Sequence, residues 1–559
     1  MATSPVDKKP LPYDNAMDMD LKDDKEGIAA ETSSIVDVDY RETGLKRTLK
    51  ARHLNFISIG ACIGTGIFLG TGGSLAKGGP LGLLMGFTLI STVVIAVMVQ
   101  VCELTTFLPV SGGHIRLAGR FVDPALSAVM GWNYIACWTL ILAAELSASA
   151  VLISYWIPSD QINPAAWIGI GTVVVLAFNI FGASIYGEAE FWFSSIKVTT
   201  ICGLIILSII ISAGGGPDGE AIGFRYWHHP GPLVQYAGIE GTTGRFLGFF
   251  SVLTQASFSM IGTEMLALAA AETRNPRKVL PQCLRTVWVR IVAFYVLAVF
   301  AIGIIVSSDN DRLGSSSTAA ASPFVIAIEN AGIRVLPSII NAAILTSALS
   351  AGCSDLYTSS RSLYSLAQKH HAPAIFARTT MNGVPHYAVL ACWLVGCLAY
   401  LASSSGSLVV FNFLVNLTAL SGILTWVAIS ITYLRFRSGM AAQGIPRTSL
   451  PWTSRLALPG AYWTLLVIGI VTIFSGWEVF RPGKWDTAGF FSNYLPIAWC
   501  VVGYVFFKLL WKTKIVSVAE MDFVTGLQEI EDDARLWDEE EKASKSDDTL
   551  WNKLTGWFI

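Results

Sequence analysis

Charge is scarce in this chain. Asp, Glu, Lys and Arg make up 14% of its 559 residues, against about 25% in soluble domains, so much of the surface must meet something other than water. The two signs nearly cancel, 38 Lys and Arg against 40 Asp and Glu, for a net charge of -2. Lacking a basic excess, the composition argues against a nucleic-acid partner. Nine cysteines stand singly, with no C-x-x-C pair and no histidines at ligand spacing. No metal site or disulfide framework is predicted, and the thiols read as small buried hydrophobes. The seven histidines fall in predicted loops or helix ends and are expected to be solvated. Also missing are a phosphate-binding P-loop, a dinucleotide fingerprint after a strand and a catalytic-triad pattern, so no cofactor is expected and the chain does not read as an enzyme. The opening stretch "MATSPVDKKPLPYDNAMDMDLKDDKEG" has no apolar core of the kind a cleavable leader needs. The first membrane helix is expected to act as the insertion signal.

Apolar sequence, in contrast, is abundant: 53% of residues are hydrophobic and the mean hydropathy is +0.55. Runs near twenty residues predict about twelve spans, at roughly 54–76, 82–107, 125–157, 165–186, 192–213, 246–270, 287–308, 324–352, 387–403, 408–434, 462–480 and 492–511. The expected fold is therefore an all-α integral membrane protein. Lys and Arg concentrate in alternate connections, including Lys46 to Arg52, Arg116 and Arg120, Arg274 to Arg285, and Arg435 to Arg455. By the positive-inside rule both termini are cytoplasmic. One inside connection, "YGEAEF", is acidic and departs from the pattern.

Polar tails flank the membrane unit. Residues 1–50 read as a disordered cytoplasmic tail whose Lys8, Lys9, Lys22 and Lys25 are exposed, and 513–559 as a cytoplasmic C-tail; neither is expected to bury enough apolar surface for a core. Within the C-tail, Leu527, Ile530, Ala534 and Trp537 recur at helical spacing, predicting a surface helix on the cytoplasmic face. Its acidity argues against anionic lipid. The tails are the candidate contacts for cytoplasmic regulatory proteins, and the closing "GWFI" carries no cysteine for lipidation.

The first span contains "GACIGTGIFLG", with glycines at 60, 64, 66 and 70, although each glycine weakens a helix by about 1 kcal/mol relative to alanine. Gly60 and Gly64 fit the close-packing G-x-x-x-G spacing. The Gly-Thr-Gly at 64 to 66 predicts something further, a helix that unwinds at mid-membrane against a protein-lined cavity. Span six has a matching interruption, "ASFSMIGTE" from Ala256 to Glu264. Spans one and six each open a set of five, the arrangement of inverted-repeat transporters with a midplane site.

The stretches "ETGLKRTLKARHLNFISIGACIGTGIFLG", "PVSGG", "FWFSSIKV", "FRYWHHPGP", "GTEMLALAAAETRNPRK" and "SAGCSDLYTSSRSLYSLA" resemble, in this order, the fungal amino-acid permeases, the yeast amino-acid transporter branch of the amino acid-polyamine-organocation superfamily. The likeness runs from about Asp37 to Lys512. It implies twelve helices, a five-plus-five inverted repeat with discontinuous helices one and six (repeats at about 54–213 and 246–434), and two further helices at about 462–511 within a transporter domain of 51–512. It also implies proton-driven uptake of amino acids at the plasma membrane, with amino acid, proton and lipid bilayer as partners.

On the matching positions, the resemblance directs the substrate carboxylate to the N–H groups at Gly64, Thr65, Gly66 and Ile67, where the helix dipole favours an anion. It directs the ammonium to the carbonyls of Cys62 or Ile63 and of Phe258, Ser259 and Ile261 beside Gly262, with Phe258 as a gate. Ionisable residues inside spans are functional hypotheses by default, and five stand out: Glu103, Glu145, Lys197, Glu264 and Asp355. Lys197, Glu264 and Glu145 are the proton-coupling candidates, Lys197 because proton-coupled relatives resembling this chain carry a fifth-helix lysine where sodium-driven ones hold the ion. A static counter-ion to a glutamate is the alternative for Lys197. Glu103 reads as a brace. Asp355, near the inner end of span eight, reads as a partner of Arg361, and Glu272 with the adjacent basic cluster as an inward gate. An amino-acid sensor of the same fold is the alternative function, but tails of about fifty residues favour transport. Neutral amino acids, broadly accepted, are the expected substrates. Cys353 and Met260-Ile261, which depart from the commoner family wording, bear on the pocket.

Overall fold

A computed structural model describes residues 63–110, 112–181, 183–217, 219–265, 275–313, 322–380 and 383–544, all within one compact unit. Its architecture is helical, and nine helices among the described residues have the length and hydropathy of a membrane span. The order is α1 (Gly66–Phe107), α2 (Gly113–Phe121), α3 (Pro124–Ile153), α4 (Pro164–Ile180), α5 (Ala183–Ser212), α6 (Gly241–Met260), α7 (Pro276–Ile305), α8 (Leu336–Gln368), α9 (His386–Ser404), α10 (Ser407–Ala442), α11 (Ala457–Phe474), α12 (Thr487–Trp511) and α13 (Leu527–Ser544). Helix starts are written in the sequence. Asp123 and Asn163 cap α3 and α4 by accepting from Ala125 and Ala165 N–H at 2.9 Å, each followed by a proline whose missing N–H costs nothing there. Asp486 caps α12 through Ala488 and Gly489.

Several element boundaries differ from expectation, for physical reasons. Spans one and two share α1 without a loop; Gly79, at φ 72° ahead of Pro80, turns the chain inside it, a backbone only glycine adopts readily. The "YGEAEF" stretch is not a connection but the start of α5. Span eight shifts toward the C-terminus: Pro323–Asn330 is a separate short helix, and α8 continues to Gln368. Its serine-rich stretch "SDLYTSSRS" has the polarity of a loop, yet all of it is buried. In a polytopic bundle polar side chains turn inward to other helices, which a hydropathy window cannot register.

At the centre lies α3. Of its best apolar window 89% is buried, against 6% for α12, which faces outward with Trp499, Val502, Phe506 and Leu509 exposed. The most extensive packing joins α3 to α8 and α10, and α1 to α6. Against expectation His114, in the short helix α2, is buried edge-on against Tyr134 at 5.4 Å. Burial pushes its imidazole down to about 3, so it stays neutral in the cell.

The C-terminal segment also departs from expectation, because it does bury apolar side chains. Phe523 inserts between Phe107, Phe121 and Phe436 at centroid distances of 6.3, 5.3 and 5.7 Å. Arg120 donates to the carbonyls of Asp522 and Thr525 and pairs with Asp522. Gln443 donates to the carbonyls of Ala519 and Met521. The expected amphipathic helix forms as α13, with Ile530 buried. Burial would push the Asp522 carboxyl up, but the Thr525 N–H, the Arg120 charge and the Val524 N–H together hold it below the ordinary carboxylate range. Its contribution to docking is present above about pH 4 and lost as pH falls below that. Phe523→Ala is expected to destabilise the protein by about 3–5 kcal/mol, read as a lower thermal midpoint in detergent.

Candidate functional site

Helix α6 ends at Met260. Ile261 is extended at ψ 144° and Gly262 has φ 104°, breaking the helix beside Thr263 and Glu264. Glu264 is spent on this break: its two carboxylate oxygens accept from Gly262 N–H at 3.3 and 3.2 Å, and one also from Trp426 Nε1 at 3.3 Å. Across from it Ile63 and Gly64 form a bend and the helix starts at Thr65, leading into α1. Cys62, Glu272 and Arg274 lie outside the described residues. The two elements touch: Gln255 Nε2, on α6, donates to the Gly66 carbonyl at 3.3 Å and to Ser259 Oγ at 3.4 Å.

Between them lies a small cavity of about 30 Å³ lined by Gly64, Gly66, Trp138, Ile141, Glu145, Phe258, Ser259, Ile261, Ala351 and Asp355, room for a water molecule or two. Seven of the residues singled out by sequence are thus brought together: Gly64, Gly66, Glu145, Phe258, Ser259, Ile261 and Asp355. Ile63, Thr65, Ile67 and Gly262 adjoin this lining in sequence, whereas Lys197 and Glu264 do not line the cavity. Sequence reasoning missed Trp138 and Ala351. Trp138, Ile141 and Glu145 follow one another at intervals of three and four, a single helical face that could have announced them.

Glu145, 3% exposed, reaches the start of helix one. Its Oε1 accepts from Thr65 Oγ1 at 3.0 Å and from Thr65 N–H at 3.3 Å. Its Oε2 has no hydrogen bond among the described residues. Asp355 is not paired with Arg361, as had been expected. Arg361 stacks over the Tyr357 ring at 3.6 Å and donates to Ser360, while Asp355, 2% exposed, lines the cavity with Oδ2 unpartnered.

Lys197 is fully buried and has a partner that sequence missed, Glu190, at 3.7 Å. Glu190 also accepts from Ser350 Oγ at 2.8 Å and Ser194 Oγ at 3.1 Å. Assigning "YGEAEF" to a loop hid it. Once α5 is known to be helical, the seven-residue interval from Glu190 to Lys197 is two turns along one face. Glu103 is a brace, as read from sequence, accepting from Tyr433 OH at 3.1 Å, Arg447 at 3.0 Å and Ser454 N–H at 3.3 Å.

The amino acid permease model matches residues 53–520. The chain belongs to the amino acid permease family. It is 37% identical to the dicarboxylic amino acid permease of Saccharomyces cerevisiae, over 96% of this chain and 91% of the relative. It is 40% identical to the proline-specific permease of Emericella nidulans, over 88% and 90%, and 36% identical to the lysine-specific permease of Saccharomyces cerevisiae, over 92% and 83%. These relatives are named for acidic, cyclic and basic amino acids, so their names do not converge on one side-chain class. A multi-pass helical membrane protein is the common ground of sequence, structure and family.

Proposed function

We propose that the protein is a secondary active transporter that takes up L-amino acids across the plasma membrane of a fungal cell, driven by protons and working by alternating access with both tails cytoplasmic. The observation that carries this is the cavity between the start of helix one at Thr65 and the break that follows α6. Main-chain groups where one helix starts and another ends match a zwitterion. The N–H groups at Thr65, Gly66 and Ile67 suit the carboxylate, reinforced by the helix dipole. The carbonyls of Ile63, Phe258, Ser259 and Ile261, with that of Cys62, suit the ammonium. Phe258, edge-on to Phe411 at 6.4 Å, is the proposed gate. Neutral amino acids are the proposed substrates, because recognition by backbone is indifferent to the side chain.

Lys197, Glu145 and Glu264 are the proposed carriers of the coupled proton. One proton moving down about 100 mV releases ~2.3 kcal/mol, enough for a gradient of roughly fiftyfold. The test is uptake of labelled L-alanine, L-proline, L-lysine and L-glutamate into liposomes carrying the purified protein, with and without an inward acid gradient. Wild type is expected to accumulate substrate only with the gradient. Saturable binding without uptake under either condition would identify a sensor instead.

A further inference from the structure

The anion seat at helix one is taken by a side chain of the protein itself. Glu145 Oε1 holds both the Thr65 hydroxyl and the Thr65 N–H, and it lies so close to the backbone that a Cβ on Gly64 would come within 2.8 Å of it. A substrate carboxylate directed to those N–H groups would fall on the same spot. The cavity lining offers no Lys, Arg or His to hold a second anion. It holds instead a second carboxylate, Asp355, and both acids present a buried oxygen without a partner.

Resting on the transporter reading above, we propose that Glu145 is a built-in placeholder: the α-carboxylate of the incoming amino acid displaces it from Thr65, and the displaced Glu145 takes one proton from solution. The step balances simply. One O–H bond forms on the Glu145 carboxylate as one O–H bond of a hydronium ion breaks and releases water, and the hydrogen bonds from Thr65 pass from one carboxylate to the other.

The surroundings explain why a proton is needed. Thr65 faces Glu145 from the start of helix one, Asp355 from α8, and uncharged Phe258, Ser259 and Ile261 from α6. Lys197 on α5 is within electrostatic range but is paired with Glu190. Displacement therefore leaves three carboxylates, those of substrate, Glu145 and Asp355, in one small enclosure. Carboxylates forced together do not all remain charged, and a buried one without donors is neutralised by a proton. Substrate binding and proton binding become the same event.

The test is calorimetric titration of the full-length protein in lipid nanodiscs with whichever of L-alanine, L-proline, L-lysine or L-glutamate the wild type accumulates, in two buffers of different ionisation enthalpy. Wild type is expected to take up one proton per amino acid, with affinity weakening up to about tenfold per pH unit as pH rises. Glu145→Gln keeps an oxygen for Thr65 but cannot take the proton. It is expected to bind with no proton uptake and a flat pH profile, while Glu145→Asp retains the uptake. Wild-type binding without proton uptake, or undiminished uptake in Glu145→Gln, would overturn the placeholder and leave the transporter reading intact. If no amino acid binds wild type at all, it is the transporter reading that fails.

Discussion

Gly66→Val is expected to weaken amino-acid binding by at least about a hundredfold, roughly 2.8 kcal/mol. A Cβ at Gly66 would lie 2.8 Å from Ser259 Oγ and 2.9 Å from Ser259 Cα. The second of these is backbone and cannot rotate away. Helix one and α6 would have to separate at the point where helix one starts and α6 ends, which pulls the carboxylate cradle away from the carbonyls proposed for the ammonium. Gly73 supplies the control, since a Cβ there meets nothing within 4 Å. Gly73→Ala is expected to leave binding unchanged and to stabilise the helix slightly, by up to about 1 kcal/mol. Equilibrium binding of the labelled amino acids to both variants checks this, and unaltered affinity in Gly66→Val would remove the helix-one cradle from the mechanism.

The parts of this molecule that could be read from sequence are those where chemistry is local. A glycine cluster within an apolar run, or a serine-glycine interruption just before Glu264, signals a broken helix because each residue weakens the helix where it stands. Gly66 and Ser259 were accordingly found in advance, and the structure has them touching. Asp355 and Glu190 were misread for the converse reason. Both lie in polar stretches that lower hydropathy, yet Glu190 is met by Ser350 across a helix interface and Asp355 turns to the cavity. On α8, Ser347 and Ser350 donate to the Ile63 carbonyl ahead of helix one and to Glu190 on α5. Such satisfaction depends on which helix packs opposite, and spacing along one chain does not encode it. The docking of Phe523 was illegible for the same reason, because its aromatic neighbours come from three separate helices.

Lys197→Ala is expected to abolish gradient-driven accumulation while retaining measurable binding. Lys197 does not line the cavity, so its removal takes no direct contact from the substrate. What it removes is the ionic partner of Glu190, leaving a buried carboxylate held by serine hydroxyls, Ser350 and Ser194 among them. Breaking one side of a buried pair costs about 3–5 kcal/mol, so the variant should also show a lower thermal midpoint. Lost accumulation alone would therefore not separate a proton carrier from a counter-ion, and a second variant is needed. In Lys197→Met with Glu190→Gln the buried charge is gone from both sides, and replacing a buried ion pair by neutral groups is often close to neutral for stability. A thermal midpoint restored toward wild type without restored accumulation identifies the ammonium itself as part of the coupling, alternating between charged and neutral as the cavity changes access. If accumulation returns together with stability, Lys197 serves only to neutralise Glu190, and coupling rests on the carboxylates nearer the substrate.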